Sequence, residues 1–179
     1  TNNRRVQIMI NYIEKGVGLH EAIAEAGYSL SQVDGAWVAD DEQAIQAIID
    51  TYDPLPKIKK QAIDLVNLTA GETRVKHVTN IPFQEAAYQA KEADVRRYKA
   101  DGYPTNLTLY PFTAAEADAM GVTATVAADS VISQADQWVW LSAEIERLRR
   151  KASVQIGLVT DWQQVQSVAN GYITQLEAM

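Results

Sequence analysis

The sequence has no cysteine, which excludes disulfides, thiolate metal sites and cysteine nucleophiles together. Histidine is almost as scarce, with His20 and His77 the two copies in 179 residues. The segment His20-Glu21-Ala22-Ile23-Ala24 opens like a zincin helix, but position 24 lacks the second histidine, so a zinc ligand pair is missing. Basic residues are in the minority. Sixteen Lys+Arg against 23 Asp+Glu leave a net charge of −7, a balance that repels a phosphate backbone and points away from nucleic acid. No apolar run is long enough to cross a bilayer or to form the core of a signal peptide, so neither a membrane nor a cleaved export signal is expected. Synthesis in a cytoplasm follows, with Thr1 as the residue a trimmed initiator methionine leaves; a shortened chain would read the same way. Proline is sparse too, five in all and none after Pro111, so nothing in the C-terminal third forbids long helices.

The signatures of chemistry are missing as well. Gly16-Val17-Gly18 is no dinucleotide loop, because Glu21 stands where the third glycine belongs, and there is no Walker A loop. Asp40, Asp41 and Glu42 lack the alternating oxygen ligands and closing glutamate of a calcium loop; a helix N-terminus, which favours anions, accounts for them. Pairs such as Glu85 and Glu92 occur in any acidic helix. Arg147, Arg149, Arg150 and Lys151 form the one basic cluster, and Glu144 and Glu146 beside it make it a salt-bridged helix face. The Asn-Leu-Thr sequons at Asn67 and Asn106 carry no meaning in a protein that is not secreted. The expectation is therefore no catalytic residue, no metal and no cofactor.

What is present is 47% apolar and 22% charged, an ordinary globular balance. Residues 6–13 alternate, with Val6, Ile8, Ile10 and Tyr12 on one side, which predicts a half-buried strand. Leu19, Ala22, Ile23 and Ala26 predict a short helix with Gly27 as its stop. Asp34-Gly35 between Tyr28–Val33 and Ala36–Ala39 predicts a hairpin, and Asp40 with Gln43 a capping box for a helix carrying Ile45, Ile48, Ile49 and Tyr52. Asp53-Pro54-Leu55-Pro56 ends this unit. Beyond it, Ile58, Ala62 and Leu65 form one narrow helical stripe, weakened by Gly71 and interrupted by Pro82; Tyr88, Val95 and Tyr98 form another. Asp101-Gly102-Tyr103-Pro104 is a turn. Thr113 with Glu116 reads as a capping box with Phe112 before it, Met120-Gly121 as a stop, Thr123 as the next cap, Gly157 as its end and Thr160 with Gln163 as the last cap. Val165, Val168, Ala169, Tyr172 and Leu176 give the final amphipathic face. The fold class is α+β: a small N-terminal β-α-β-β-α unit, then a mainly α-helical arm and a C-terminal helical hairpin. The expected divisions are 1–53, 54–103 and 104–179.

One feature asks for a partner. Ala127, Val131, Gln134, Trp138, Leu141, Ile145, Leu148 and Ala152 are spaced alternately by four and three, a heptad seam on a helix expected over 123–156. Trp138 and Trp140 cannot both face that seam. Burial against the preceding elements is the first expectation for Trp140, and an intermolecular contact the second. Val131, Trp138, Trp140, Leu141, Ile145 and Leu148 are accordingly the candidate interaction surface of a homo-oligomer.

Two stretches carry a resemblance. Gly16 to Ile23, Asp34 to Val38 and Ala44 to Asp53 resemble the N-terminal module of small tail-associated proteins of tailed bacteriophages. Tyr98 to Gly102, Pro111 to Ala117 and Met120 to Val122 look like the C-terminal part of phage tail and fibre-assembly proteins, where a short helix and a glycine precede a long helix with a basic end like Arg147 to Lys151. Lys57 to Glu92 departs from that pattern. The resemblance implies a non-enzymatic structural part of a phage tail, baseplate or fibre associated, residing in the virion and contacting other tail proteins. It also implies a trimer, since phage fibres are commonly threefold. The alternatives are a tail-fibre assembly chaperone and, from another class, a small host-directed enzyme or inhibitor.

Overall fold

In a computed structural model, the structure describes residues 6–77 and 84–179. The protein is α+β: a three-stranded antiparallel sheet and, among the described residues, eight helices. The chain divides into two compact units, Thr1–Leu68 with Arg150–Gln175 and Thr69–Arg149 with Leu176–Met179.

The first unit opens with strand β1 (Val6–Ile8), shorter than the alternation from 6 to 13 predicts. Asn11 is the reason. Its side chain accepts hydrogen bonds from the Ile13 and Glu14 amides and caps a four-residue helix, α1 (Tyr12–Lys15), an alternative that short polar side chains offer the backbone in competition with a strand. Helix α2 (Leu19–Glu25) ends at Gly27 with φ +86°, and the Tyr28 amide reaches back to the Ile23 carbonyl, as the sequence predicts of a glycine stop. Strands β2 (Leu30–Val33) and β3 (Ala36–Ala39) flank Asp34-Gly35, both at positive φ. The sheet order is β1-β3-β2, so β3 is central. Asp40 does not cap helix α3 (Glu42–Thr51). Asp41 does, accepting from the Ala44 amide at 3.0 Å, while Asp40 accepts from the Ser29 amide and ties the start of β2 to the end of β3. Leu19, Ile23, Leu30, Ile45 and Ile49 are the buried centre of this unit, lidded by Tyr12, Trp37 and Tyr52.

Helix α4 (Leu55–Lys76) begins between the two prolines and carries Pro56 in its first turn. The prolines thus open a helix, where a missing N–H costs nothing. The helix runs through Gly71 without a break, and its buried stripe is Ala62, Val66, Thr69, Ala70 and Thr73, while Leu65 is exposed. Gly16, at φ +71°, is packed so tightly that a β-carbon there would lie 2.8 Å from Pro54 Cγ and 3.2 Å from Trp162 Cε2. Pro82 lies outside the described residues.

The second unit is built around helices α5 (Gln84–Ala100), α6 (Pro111–Met120) and α7 (Ala124–Leu158). Val95, Tyr98, Tyr110, Ala128 and Ile132 form a buried cluster, in which the Tyr98 ring meets those of Tyr103 and Tyr110 edge-on at 5.5 and 5.2 Å. Thr113 is not an N-cap. Helix α6 starts at Pro111, and its first turn is capped from another helix: Asp94 Oδ2 accepts from the Thr113 amide at 2.8 Å and from its hydroxyl at 2.9 Å, both buried. Glu116, freed from the predicted box, pairs with Lys91 at 2.5 Å. Gly157 likewise lies inside α7, and Asp161, rather than Thr160, caps helix α8 (Trp162–Glu177) through the Gln163 amide.

Candidate interaction surface

Helix α7 is 35 residues long. Thr123 starts it, accepting from the Val126 amide at 3.3 Å, and no proline interrupts it. Charged pairs one turn apart, Glu144 with Arg147 and Glu146 with Arg149, reinforce the middle, in the geometry that supports a helix surface. Arg74 joins the second pair at 3.1 Å from Glu146. Bonding to the Arg149 guanidinium, with help from Arg74, lowers the Glu146 carboxyl from 4.5 to about 2, and the same contact raises Arg149. Glu144 is lowered by Arg147. The basic cluster is thus a salt-bridged face at Arg147 and Arg149.

The predicted surface residues are not all at the surface. Ile145 and Leu148 are buried, as are Ala127, Ala152 and Ile156, so these positions serve the chain's own interior. Val131, Trp138 and Leu141 are half-buried, and Gln134 is exposed. Trp140 is not in the core. It is 70% exposed, beside Val139 at 61%, because the seam takes positions 138, 141 and 145 and leaves 140 on the opposite side of the helix. Ser133, Asp136, Gln137, Ala143 and Arg147 share its exposed face. Asp136 also bonds Arg96 of α5 at 2.5 Å.

Elsewhere several side chains able to do chemistry are tied into structure. Tyr12 and His20 are hydrogen-bonded at 2.7 Å, and the Tyr12 ring lies 4.7 Å from Trp37; burial raises the Tyr12 hydroxyl. Lys57 pairs with Glu21, whose carboxyl it lowers, and the Tyr52 hydroxyl donates to the Val17 carbonyl at 2.6 Å. Lys99 and Tyr103 both bond Asp129 at 2.8 Å, lowering it. His77 is exposed at the end of α4. Among the described residues, no three His, Asp or Glu side chains are grouped to hold a metal ion, and no helix is long and apolar enough to cross a membrane. A shallow depression on α3 is lined by Glu42, Gln43, Gln46, Ala47 and Asp50, one face of a single helix.

Comparison with protein-family models, with curated proteins and with solved structures finds no match for this chain. The feature that stands out physically is therefore the exposed Trp140 face. Sequence reasoning singled out the residue but gave it first to the core. The signal that places it outside was in the seam itself: a residue two positions after a seam tryptophan cannot share the seam of an unbroken helix. Asp136 and Ala143, which complete that face together with Arg147 of the basic cluster, were missed because they lie off the seam, on a side of the helix that no row of large apolar residues marks.

Proposed function

We propose that this protein is a non-enzymatic structural component of a bacteriophage tail, associated with the baseplate or a tail fibre, that works by protein–protein contact. Its place in this reading is the virion tail, after synthesis in the host cytoplasm, and its partners are fibre or baseplate subunits and further copies of itself. In this reading helix α7 presents the contact surface, whose residues 131–148 lie within the unit Thr69–Arg149. The resemblance of Gly16–Ile23, Ala44–Asp53 and Pro111–Ala117 to tail-associated proteins supports it.

The observation that carries the proposal is Trp140, 70% exposed next to an exposed Val139 on the middle of α7. An indole in water is a large apolar surface left uncovered, and tryptophans of this kind dominate binding energy when a partner buries them. Quantitative mass spectrometry of gradient-purified particles tests the assignment. A copy number that is a multiple of three or six is expected. Absence from the particles overturns a structural role and leaves the assembly chaperone.

A further inference from the structure

Resting on the reading that the Trp140 face is covered in assembly, we infer that its occupant is a second copy of this chain, the two α7 helices running antiparallel about a twofold axis between Trp140 and Ala143. The face consists of Ser133, Asp136, Trp140, Ala143 and Arg147, spaced three and four apart and all exposed, so that they form one row along the helix. Their order is self-complementary in charge and in size. The acid lies toward the N-terminus, the base toward the C-terminus, and the bulky and small residues adjoin the midpoint. Turned end for end about that midpoint, the row places Trp140 over Ala143 of the second copy and Asp136 against its Arg147, each contact made twice, as a twofold interface requires. A methyl group leaves room for an indole. The parallel arrangement stacks like on like: indole on indole, Asp136 on Asp136, Arg147 on Arg147. A parallel threefold bundle has the same defect, so this surface fits a dimer rather than the trimer that the resemblance favours, and of the copy numbers expected in a tail it fits a multiple of six.

The charged members are placed to take part. The Asp136 and Arg147 side chains are 62% and 53% exposed, and both already hold intrachain partners, Arg96 and Glu144. A carboxylate has lone pairs for more than one donor, and a guanidinium has five N–H groups, so both can add a contact without surrendering the first. A net charge of −7 opposes association of two copies, and the paired opposite charges fix where and in which direction they can meet.

Sedimentation of the 179-residue chain at tens of micromolar tests the pairing, with thermal unfolding of each variant to show that the fold is intact. The wild type is expected to be dimeric. Trp140→Ala should weaken association at least about tenfold, as truncating a central interface tryptophan does. Asp136→Arg and Arg147→Asp should each weaken it, and the double variant should restore it, because the antiparallel order pairs those two positions with each other. A monomeric wild type, single charge variants that associate like the wild type, or a double variant no better than the singles would overturn the pairing. If the wild type is monomeric yet Trp140→Ala is lost from particles, the pairing is wrong and the tail assignment stands. If the dimer forms as described but particles lack the protein, the pairing stands and the tail assignment is wrong.

Discussion

Replacing Asp94 by alanine should cost the second unit about 3–4 kcal/mol, because two buried polar groups on α6 depend on one carboxylate. Asp94 is 6% exposed and Thr113 fully buried. Oδ2 accepts from the Thr113 amide at 2.8 Å and hydroxyl at 2.9 Å, and Oδ1 accepts from Arg97 Nη2 at 3.1 Å. Hydrogen bonds to a charged acceptor contribute roughly 1.5–3 kcal/mol each, and the Arg97 contact, half in water, adds little. Two such bonds to one residue are not additive, which sets the total below their sum. The loss is not repaired locally, because Tyr110, the residue before α6, provides no side-chain cap. Thr113→Val keeps the shape and the amide bond while deleting the hydroxyl, so it should cost about 1–2 kcal/mol. Denaturant unfolding of the wild type, both single variants and the double variant completes a cycle whose coupling should be about 1 kcal/mol or more. A loss below about 1 kcal/mol for Asp94→Ala, within the range of an ordinary surface substitution, would refute the idea that α5 caps α6.

Three further expectations follow from the same reasoning. Gly16→Ala should destabilise the first unit by more than about 2 kcal/mol, since it adds a left-handed backbone penalty to a clash with Pro54, whereas Gly27→Ala, with open space around it, should cost only about 1–2 kcal/mol; equal losses in denaturant titrations would contradict the packing at Gly16. Glu146 has its folded pKa depressed from 4.5 to about 2, so its ion pairs with Arg149 and Arg74 stabilise the protein fully above pH 4.5, and that contribution is lost as the pH falls toward 2; stability of Glu146→Gln should fall less steeply across that window, and identical pH profiles would remove the pairing from the account. The double variant His20→Ala, His77→Ala should leave particle incorporation unchanged, at a stability cost of about 1 kcal/mol or less for the exposed Tyr12–His20 bond; a large loss of incorporation at unchanged Tm would mean that a histidine does chemistry.

Features decided within a few residues were legible in the sequence. The Gly27 stop and the turn at Asp34-Gly35 depend on backbone conformations that few residue types accept, so the sequence announces them. Features decided over distance were not. Thr113 and Glu116 have the form of a capping box, but a carboxylate 19 residues earlier takes the threonine and Lys91 takes the glutamate. The α4 stripe was misread because two of its buried members, Thr69 and Thr73, count as polar; Thr73 is at home there because its hydroxyl donates to the Leu176 carbonyl at 3.1 Å. The heptad seam was visible, but whether each seam position is covered depends on the rest of the fold: Ile145 and Leu148 are buried, while Gln134 on the same seam is exposed. For the candidate surface, one residue of the exposed row, Trp140, could be picked out from sequence. Its neighbours Asp136, Ala143 and Arg147 become meaningful only once the helix is known to leave that side uncovered.

The central claim is that this protein works by having the Trp140 face covered in an assembly, and the most direct measurement is the copy number of Trp140→Ala in purified particles beside that of the wild type. Because Trp140 is 70% exposed, its removal should leave the thermal midpoint nearly unchanged at protein concentrations low enough for the wild type to be monomeric, as surface substitutions do. The account predicts a variant that folds normally and is depleted from particles at least about tenfold, the loss expected for a central interface tryptophan. A variant that folds normally and enters particles at the wild-type copy number would contradict it.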